Sequence, residues 1–153
     1  RIAVFSQGRL AQIATPSDLY EKPANQFIAE FIGESSFLPL EALGDGLHYD
    51  NEPIKIDVPV PDREKKLMLM LRPERLKFIK KSDANADINI FNGQVVTIVF
   101  QGDSLLFDVR LDGGHQVYAR MPNRSEEANN FPKTGERVSI GLTRQDARIV
   151  RAE

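Results

Sequence analysis

VVTIVFQGDSLLFDVRLDGGHQVYARM, residues 95–121, is the stretch on which the fold turns. Leu105, Phe107, Val109 and Leu111 point one way along it, while Asp108, Arg110 and Asp112 point the other. A period of two is the signature of a strand with one buried face. Val117, Ala119 and Met121 repeat the pattern after Asp112-Gly113-Gly114, so the stretch predicts a hairpin. A two-residue Gly113-Gly114 turn would set Leu111 opposite Gln116 and Phe107 opposite Arg120, mixing apolar and polar residues on one face. A three-residue loop, Gly113 to His115, pairs Leu111 with Val117, Val109 with Ala119 and Phe107 with Met121. A one-residue slip inverts every side chain, so a loop of odd length is expected.

Outward from the hairpin, short strand-like segments recur: SFLPLEAL (36–43), LMLMLRP (67–73), INIFNGQVVTIVFQ (88–101), RVSIGL (137–142) and ARIVRA (147–152). Turn-rich pieces divide them, among them GDG at 44–46, SDANAD at 82–87 and FPKTGE at 131–136. Residues 57–66 are Pro-rich and charged, an expected exposed loop. The spacing predicts a small all-β barrel or sandwich.

The first thirty-odd residues read differently. RIAVF and RLAQI flank Gln7-Gly8, and a two-residue turn there pairs Phe5 with Leu10, Val4 with Ala11 and Ile2 with Ile13. Thr15 supplies an N-cap, Pro16 the first helical position and Asp18 the capping-box place; Pro23 ends that helix by Lys22. In a second helix Ala24, Phe27, Ile28, Phe31 and Ile32 form one apolar stripe, with Gly33 as terminator. A hairpin and two short helices cannot bury that stripe alone. They read as the end of an α/β domain, and the chain as the tail of a longer protein.

The 153 residues carry 20 basic and 22 acidic side chains, a net charge of -2, which is a poor footprint for nucleic-acid binding. Phe91, Phe100, Phe107 and Tyr118 offer rings, but Asp103, Asp108 and Asp112 cancel Arg110 and Arg120. The absence of cysteine removes disulfides and thiolate metal sites.

Residues 14–38, ATPSDLYEKPANQFIAEFIGESSFL, together with Arg1-Ile2-Ala3-Val4 and Gly8-Arg9, resemble the segment that ends the nucleotide-binding domain of ATP-binding-cassette import ATPases. LMLRPERLKF (69–78) and residues 95–114 resemble the family's transport-associated OB domain. The resemblance implies a mainly β fold: an OB-fold-like small barrel over 35–153, preceded at 1–34 by a hairpin and two helices left from the nucleotide-binding domain. It implies a regulatory and dimerising portion of an importer's ATPase subunit. FIGESSFLP is most similar to importers of putrescine, spermidine and related small cations, although sugar and ferric-ion importers share most of it. Further implications are Mg-ATP in the full-length parent, a homodimer of that subunit, membrane-spanning permease subunits, a solute-binding protein, and a place on the cytoplasmic face of the membrane. One departure is clear: where members often carry an aromatic residue, this chain reads Leu142-Thr143-Arg144-Gln145-Asp146-Ala147, and it has no tryptophan. The alternative from another class is a stand-alone small-ligand or oxyanion-binding module.

Chemistry within the chain is sparse. None of the ten glycines precedes the Lys-Ser or Lys-Thr of a phosphate-binding loop, so no cofactor is expected here and catalysis would lie upstream. Asp83, Asn85 and Asp87 begin a calcium-loop pattern, but Ile88 stands where Gly is needed and Gln94 where Glu is needed. His48, near Asp45, Asp50 and Glu52, reads as part of a solvated turn rather than a metal ligand. Arg72 and Glu74, at one strand end, and Gln101 and Asp103, at another, are the candidate interface or ligand residues. Each pair sits beside a ladder-breaking Pro or Gly, where loops carry recognition; the alternative is a local Arg–Glu pair and an ordinary turn.

Overall fold

The computed structural model describes residues 1–60, 65–124 and 128–152. β1 (Ile2–Ser6) and β2 (Arg9–Ala14) form the predicted hairpin through Gln7 and Gly8, both with left-handed φ. Phe5 faces Leu10 as expected, but a bulge then sets Val4 opposite Gln12 and Ile2 opposite Ala14. The shifted Gln12 amide reaches across to the chain at 22–24, donating to the Lys22 carbonyl and accepting from the Ala24 N–H. α1 (Pro16–Glu21) starts at Thr15, whose hydroxyl accepts from the Asp18 N–H at 3.1 Å, and stops at Lys22. α2 (Gln26–Ile32) is capped by Asn25 and ended by Gly33. Gly33 has φ −174°, so extended backbone rather than a left-handed residue closes the helix. The expected stripe divides: Ile28 joins Val4 and Leu19 in a small core, while Phe27 and Phe31 stack on each other in solvent. Ala24 precedes the helix.

The remainder is β: β3 (Ser36–Leu43), β4 (Gly46–Tyr49), β5 (Glu52–Pro53), β6 (Leu67–Leu71), β7 (Lys77–Phe78), β8 (Ile88–Phe100), β9 (Ser104–Leu111), β10 (Gln116–Pro122), β11 (Arg137–Thr143) and β12 (Arg148–Arg151). They make two five-stranded antiparallel sheets, ordered β10-β9-β8-β11-β7 and β12-β6-β3-β4-β5. Both sheets feed one core, with Leu38, Leu69 and Leu71 from one side and Phe107, Val109, Val117 and Ile140 from the other. Phe107 is fully buried, with Phe78 and Phe131 edge-on at 4.9 and 5.6 Å. The mainly β expectation holds. Asp57, Pro59, Lys65 and Lys66 of the expected Pro-rich loop are exposed, and residues 61–64 lie outside the described residues.

β8 shows how one strand serves two curvatures. Asn89, Phe91, Gly93 and Val95 face inward, an extra residue at Val96 bulges out, and Ile98 resumes contact with the core. A bulge of this kind bends and twists a strand locally, which helps a small sheet close.

The decisive hairpin has a loop of odd length, and apolar residues face one another across it. Its register differs by two residues from the expected one: Val109 pairs with Val117, Phe107 with Ala119 and Leu105 with Met121. The loop is Asp112-Gly113-Gly114, closed by the Leu111 N–H on the His115 carbonyl at 2.8 Å. Gly114 takes the left-handed position, φ +90°. Gly113 lies against Tyr49, where an added Cβ would stand 2.4 Å from the hydroxyl. Both glycines therefore belong inside the loop, and His115 is released to bond Tyr49.

Candidate functional site

A helix leaves its last carbonyls unpaired and its C-terminal end partially negative, so cations are favoured there. Neither α1 nor α2 has a basic residue in its last turn. The β region supplies that charge from outside the helices, through Arg72, Arg75 and Arg148.

Arg72 follows β6 and precedes Pro73, which keeps it extended at φ −81°, ψ 130°. It is 4% exposed. One terminal nitrogen, Nη1, lies among four acceptors: the carbonyls of Ala29 (3.1 Å), Gly33 (2.9 Å) and Glu34 (3.3 Å), and Ser35 Oγ (2.7 Å). Two hydrogens shared among four acceptors make a fan of bifurcated bonds. Nη2 donates to the Tyr20 carbonyl at 3.0 Å, and the guanidinium lies 4.1 Å over the Tyr20 ring. Burial lowers the Arg72 pKa from its usual value, opposed by the nearby Glu21 charge; arginine stays charged nonetheless. Glu74 accepts from the Tyr20 hydroxyl. Tyr20 is thus held by its ring, carbonyl and hydroxyl, all from residues 72–74.

Arg75, in the single turn Pro73–Arg75, bridges Glu21 (2.9 Å) and Asp146 (3.0 Å). Arg148 donates Nε to the Glu21 carbonyl at 3.1 Å, and its Nη2 stands 3.7 Å from the Glu21 carboxylate. Around these bonds Ala29 packs on Met70 and Val150, and Asn25 bridges in parallel to Arg151.

Gln101 belongs to the same network at one remove. Its Oε1 accepts from Arg120 Nε at 3.3 Å, and Arg120 pairs with the carboxylate of Glu34, whose carbonyl faces Arg72. Of the four candidates in the sequence, Arg72 and Gln101 are therefore joined through Glu34, and Glu74 joins through Tyr20. Asp103 is not brought into that network; its carbonyl accepts from the Asn123 N–H. Sequence reasoning missed Tyr20, Glu21, Glu34, Arg75, Arg120 and Arg148. The one available signal was the absence of any cation in the last turns of both helices.

The remaining sequence candidates are engaged elsewhere. Asp83 caps the Lys80 N–H, Asn85 accepts from the Asp87 N–H, and Asp87 faces Arg144 at 3.5 Å. His48 lies in β4 rather than in a turn. Among the described residues, no three His, Asp or Glu gather closely enough to hold a metal. Phe91 and Phe107 are core residues, whereas Phe100 and Tyr118 are exposed. A cleft of about 530 Å³ opens beside β4, β5 and β8. Its polar groups bind one another: Asn89 accepts from the Lys55 N–H at 2.7 Å and donates to the Lys55 carbonyl, and Lys55 Nζ donates to Ile88. Tyr49 at its rim is held above the ordinary phenol pKa, first by burial and then by Asp50, against the bond to His115. Asp112 is held below the ordinary carboxylate value by two hydrogen bonds from Arg137, each 2.6 Å.

Comparison with known proteins agrees with this architecture. The family described as "TOBE domain" matches residues 69–150. The chain is 29% identical over 165 residues to "Spermidine/putrescine import ATP-binding protein PotA 2" of Pseudomonas aeruginosa PAO1, covering 99% of this chain and 44% of that protein. It is 31% identical over 159 residues to the protein named PotA in Pseudomonas fluorescens Pf0-1, covering 99% and 42%. To "Putrescine transport ATP-binding protein PotG" of Escherichia coli K12 it is 30% identical, covering 92% and 39%. The chain thus spans about two fifths of the length of these relatives. Among solved structures, the cytoplasmic molybdate-binding protein ModG aligns with a TM-score of 0.50 at 17% identity, covering 57% of this chain and 62% of that one, a likeness of fold alone. With more than half of its length matched by that family, the chain belongs to the TOBE-domain proteins.

Proposed function

We propose that this chain is the C-terminal portion of the ATP-binding subunit of an importer for a small solute, a polyamine such as putrescine or spermidine. In this reading the barrel is a regulatory region through which two subunits pair. The observation that carries it is the extent of the likeness: polyamine-import relatives match 99% of the chain, the hairpin and helices as well as the barrel. A second observation supports it. Phe5, Leu10, Ile13, Phe27 and Phe31 are all exposed, the kind of apolar face that a nucleotide-binding body would cover. Mg-ATP would be held by that body, since these residues offer no phosphate loop. Permease subunits and a solute-binding protein would complete the transporter, with this portion at the cytoplasmic face of the membrane.

The test is polyamine uptake in a strain from which the whole gene has been deleted. Restored energy-dependent uptake with the intact gene, and none with residues 1–153 alone, is expected. Uptake unaffected by the deletion, or a native gene product of only this length, would contradict the reading.

A further inference from the structure

We propose that the three-arginine bracket welds α1 and α2 to the barrel. A displacement of the β region would then be delivered through these helices rather than absorbed at residues 33–36. Two parts of a chain joined by a short linker ordinarily move relative to each other, with the linker as hinge. Here the linker has no freedom to act as one. The Gly33 and Glu34 carbonyls and the Ser35 hydroxyl all accept from Arg72. The Glu34 carboxylate is paired with Arg120, and Ser36 Oγ accepts from the Tyr118 N–H at 3.2 Å. Each residue of the connection is thus tied to the β region.

The helices are tied as firmly beyond the linker. Arg72 holds α1 at Tyr20 and α2 at Ala29, while Arg75 and Arg148 both hold Glu21. A guanidinium suits this task because its rigid fork serves several acceptors in one plane, whereas an ammonium acts as a point charge. Phe27 and Phe31 point away from the bracket into solvent, so the helices are fixed on one side and free to transmit on the other. The regulatory consequence, that the barrel's position reaches a nucleotide-binding body through α1 and α2, rests on the function proposed above. The weld itself does not.

The chain has no cysteine, so paired spin labels can be introduced cleanly. One pair, Glu30→Cys on α2 with Arg110→Cys on β9, spans the junction; a control pair, Lys77→Cys with Arg110→Cys, lies within one sheet. All three positions are exposed. Pulsed dipolar spectroscopy should give a junction distance distribution as narrow as the control. Arg72→Gln should remove that single narrow peak while leaving the control unchanged, and Arg72→Lys, which keeps the charge but not the fork, should do the same. A broad junction distribution with Arg72 intact would overturn the proposal, as would a narrow one in an Arg72→Gln, Arg148→Gln double variant. Should Arg72→Gln broaden the control pair too, Glu21→Gln decides, because it removes only half-exposed ion pairs. Broadening confined to the junction supports the weld, and no broadening refutes it. These distances are measured without ATP or permease, so a failed uptake experiment leaves them intact.

Discussion

The barrel and the N-terminal segment solve the same problem by different physics. The barrel encloses Phe107, Val109, Val117, Ile140, Leu69 and Leu71 between two sheets, with ordered aromatic contacts at its centre. The N-terminal hairpin and helices bury little beyond Val4, Leu19 and Ile28, and leave Phe5, Phe27 and Phe31 in solvent. A core that small supplies too little hydrophobic free energy to fix two helices. What fixes them comes largely from the other region: the apolar contact of Ala29 with Met70 and Val150, and above all arginines on helix ends that have no basic residue in their last turns. Stability in one region comes from area, and in the other from a small apolar contact reinforced by a few directed bonds.

If that contrast is right, Phe107→Ala should have the largest effect. It should cost about 3–5 kcal/mol of global stability, seen as a lower urea midpoint for the whole chain. Leu19→Ala deletes a fully buried side chain from the smaller core. It should cost about 2–4 kcal/mol, but as local opening of α1 and α2 in native-state hydrogen exchange, with barrel amides unmoved. Equal loss in both regions would erase the distinction between them. Asn25→Ala removes the cap that accepts from the Ile28 N–H at 3.0 Å. About 1 kcal/mol is expected, read as faster exchange in the first turn of α2.

The smallest effect concerns acid. Arg137 holds Asp112 below its ordinary value of 3.8. The ionised form is the one favoured by folding, so its contribution is present above the unfolded value and fades as pH falls through the lower folded value. An NMR titration of the carboxyl should show that depression, and Arg137→Gln should return it toward the ordinary value. An unchanged titration would mean that the pair is open in solution.

Legibility in the sequence followed how local each determinant was. β9 runs Ser104–Leu111, through the alternating residues 105–111, because that alternation admits one facing, and β3 coincides with the expected segment 36–43. The 112–114 loop was harder: two odd-length loops give the same facing, and the packing of Gly113 on Tyr49 from a distant strand chooses between them. β5 and β7, two residues each, have no period to detect. Periodicity found the apolar stripe of α2 but could not say that Ile28 and Ile32 would be covered while Phe27 and Phe31 stay in solvent. Arg72 stood out beside Pro73, yet its acceptors, the Ser35 hydroxyl and backbone carbonyls some forty to fifty residues away, follow no spacing rule.

The most direct test of the account is amide exchange at the end of α2 with Arg72 present and removed. The Gly33 N–H bonds the Ala29 carbonyl, whose other donor is Arg72. In Arg72→Gln, protection at Gly33 and along α2 should fall on the order of 100-fold, equivalent to about 2.7 kcal/mol, while Phe107 and Val109 in the barrel keep theirs. Protection at Gly33 that survives the substitution, or that is lost equally throughout the barrel, would contradict the claim that the barrel's arginines hold the helices in place.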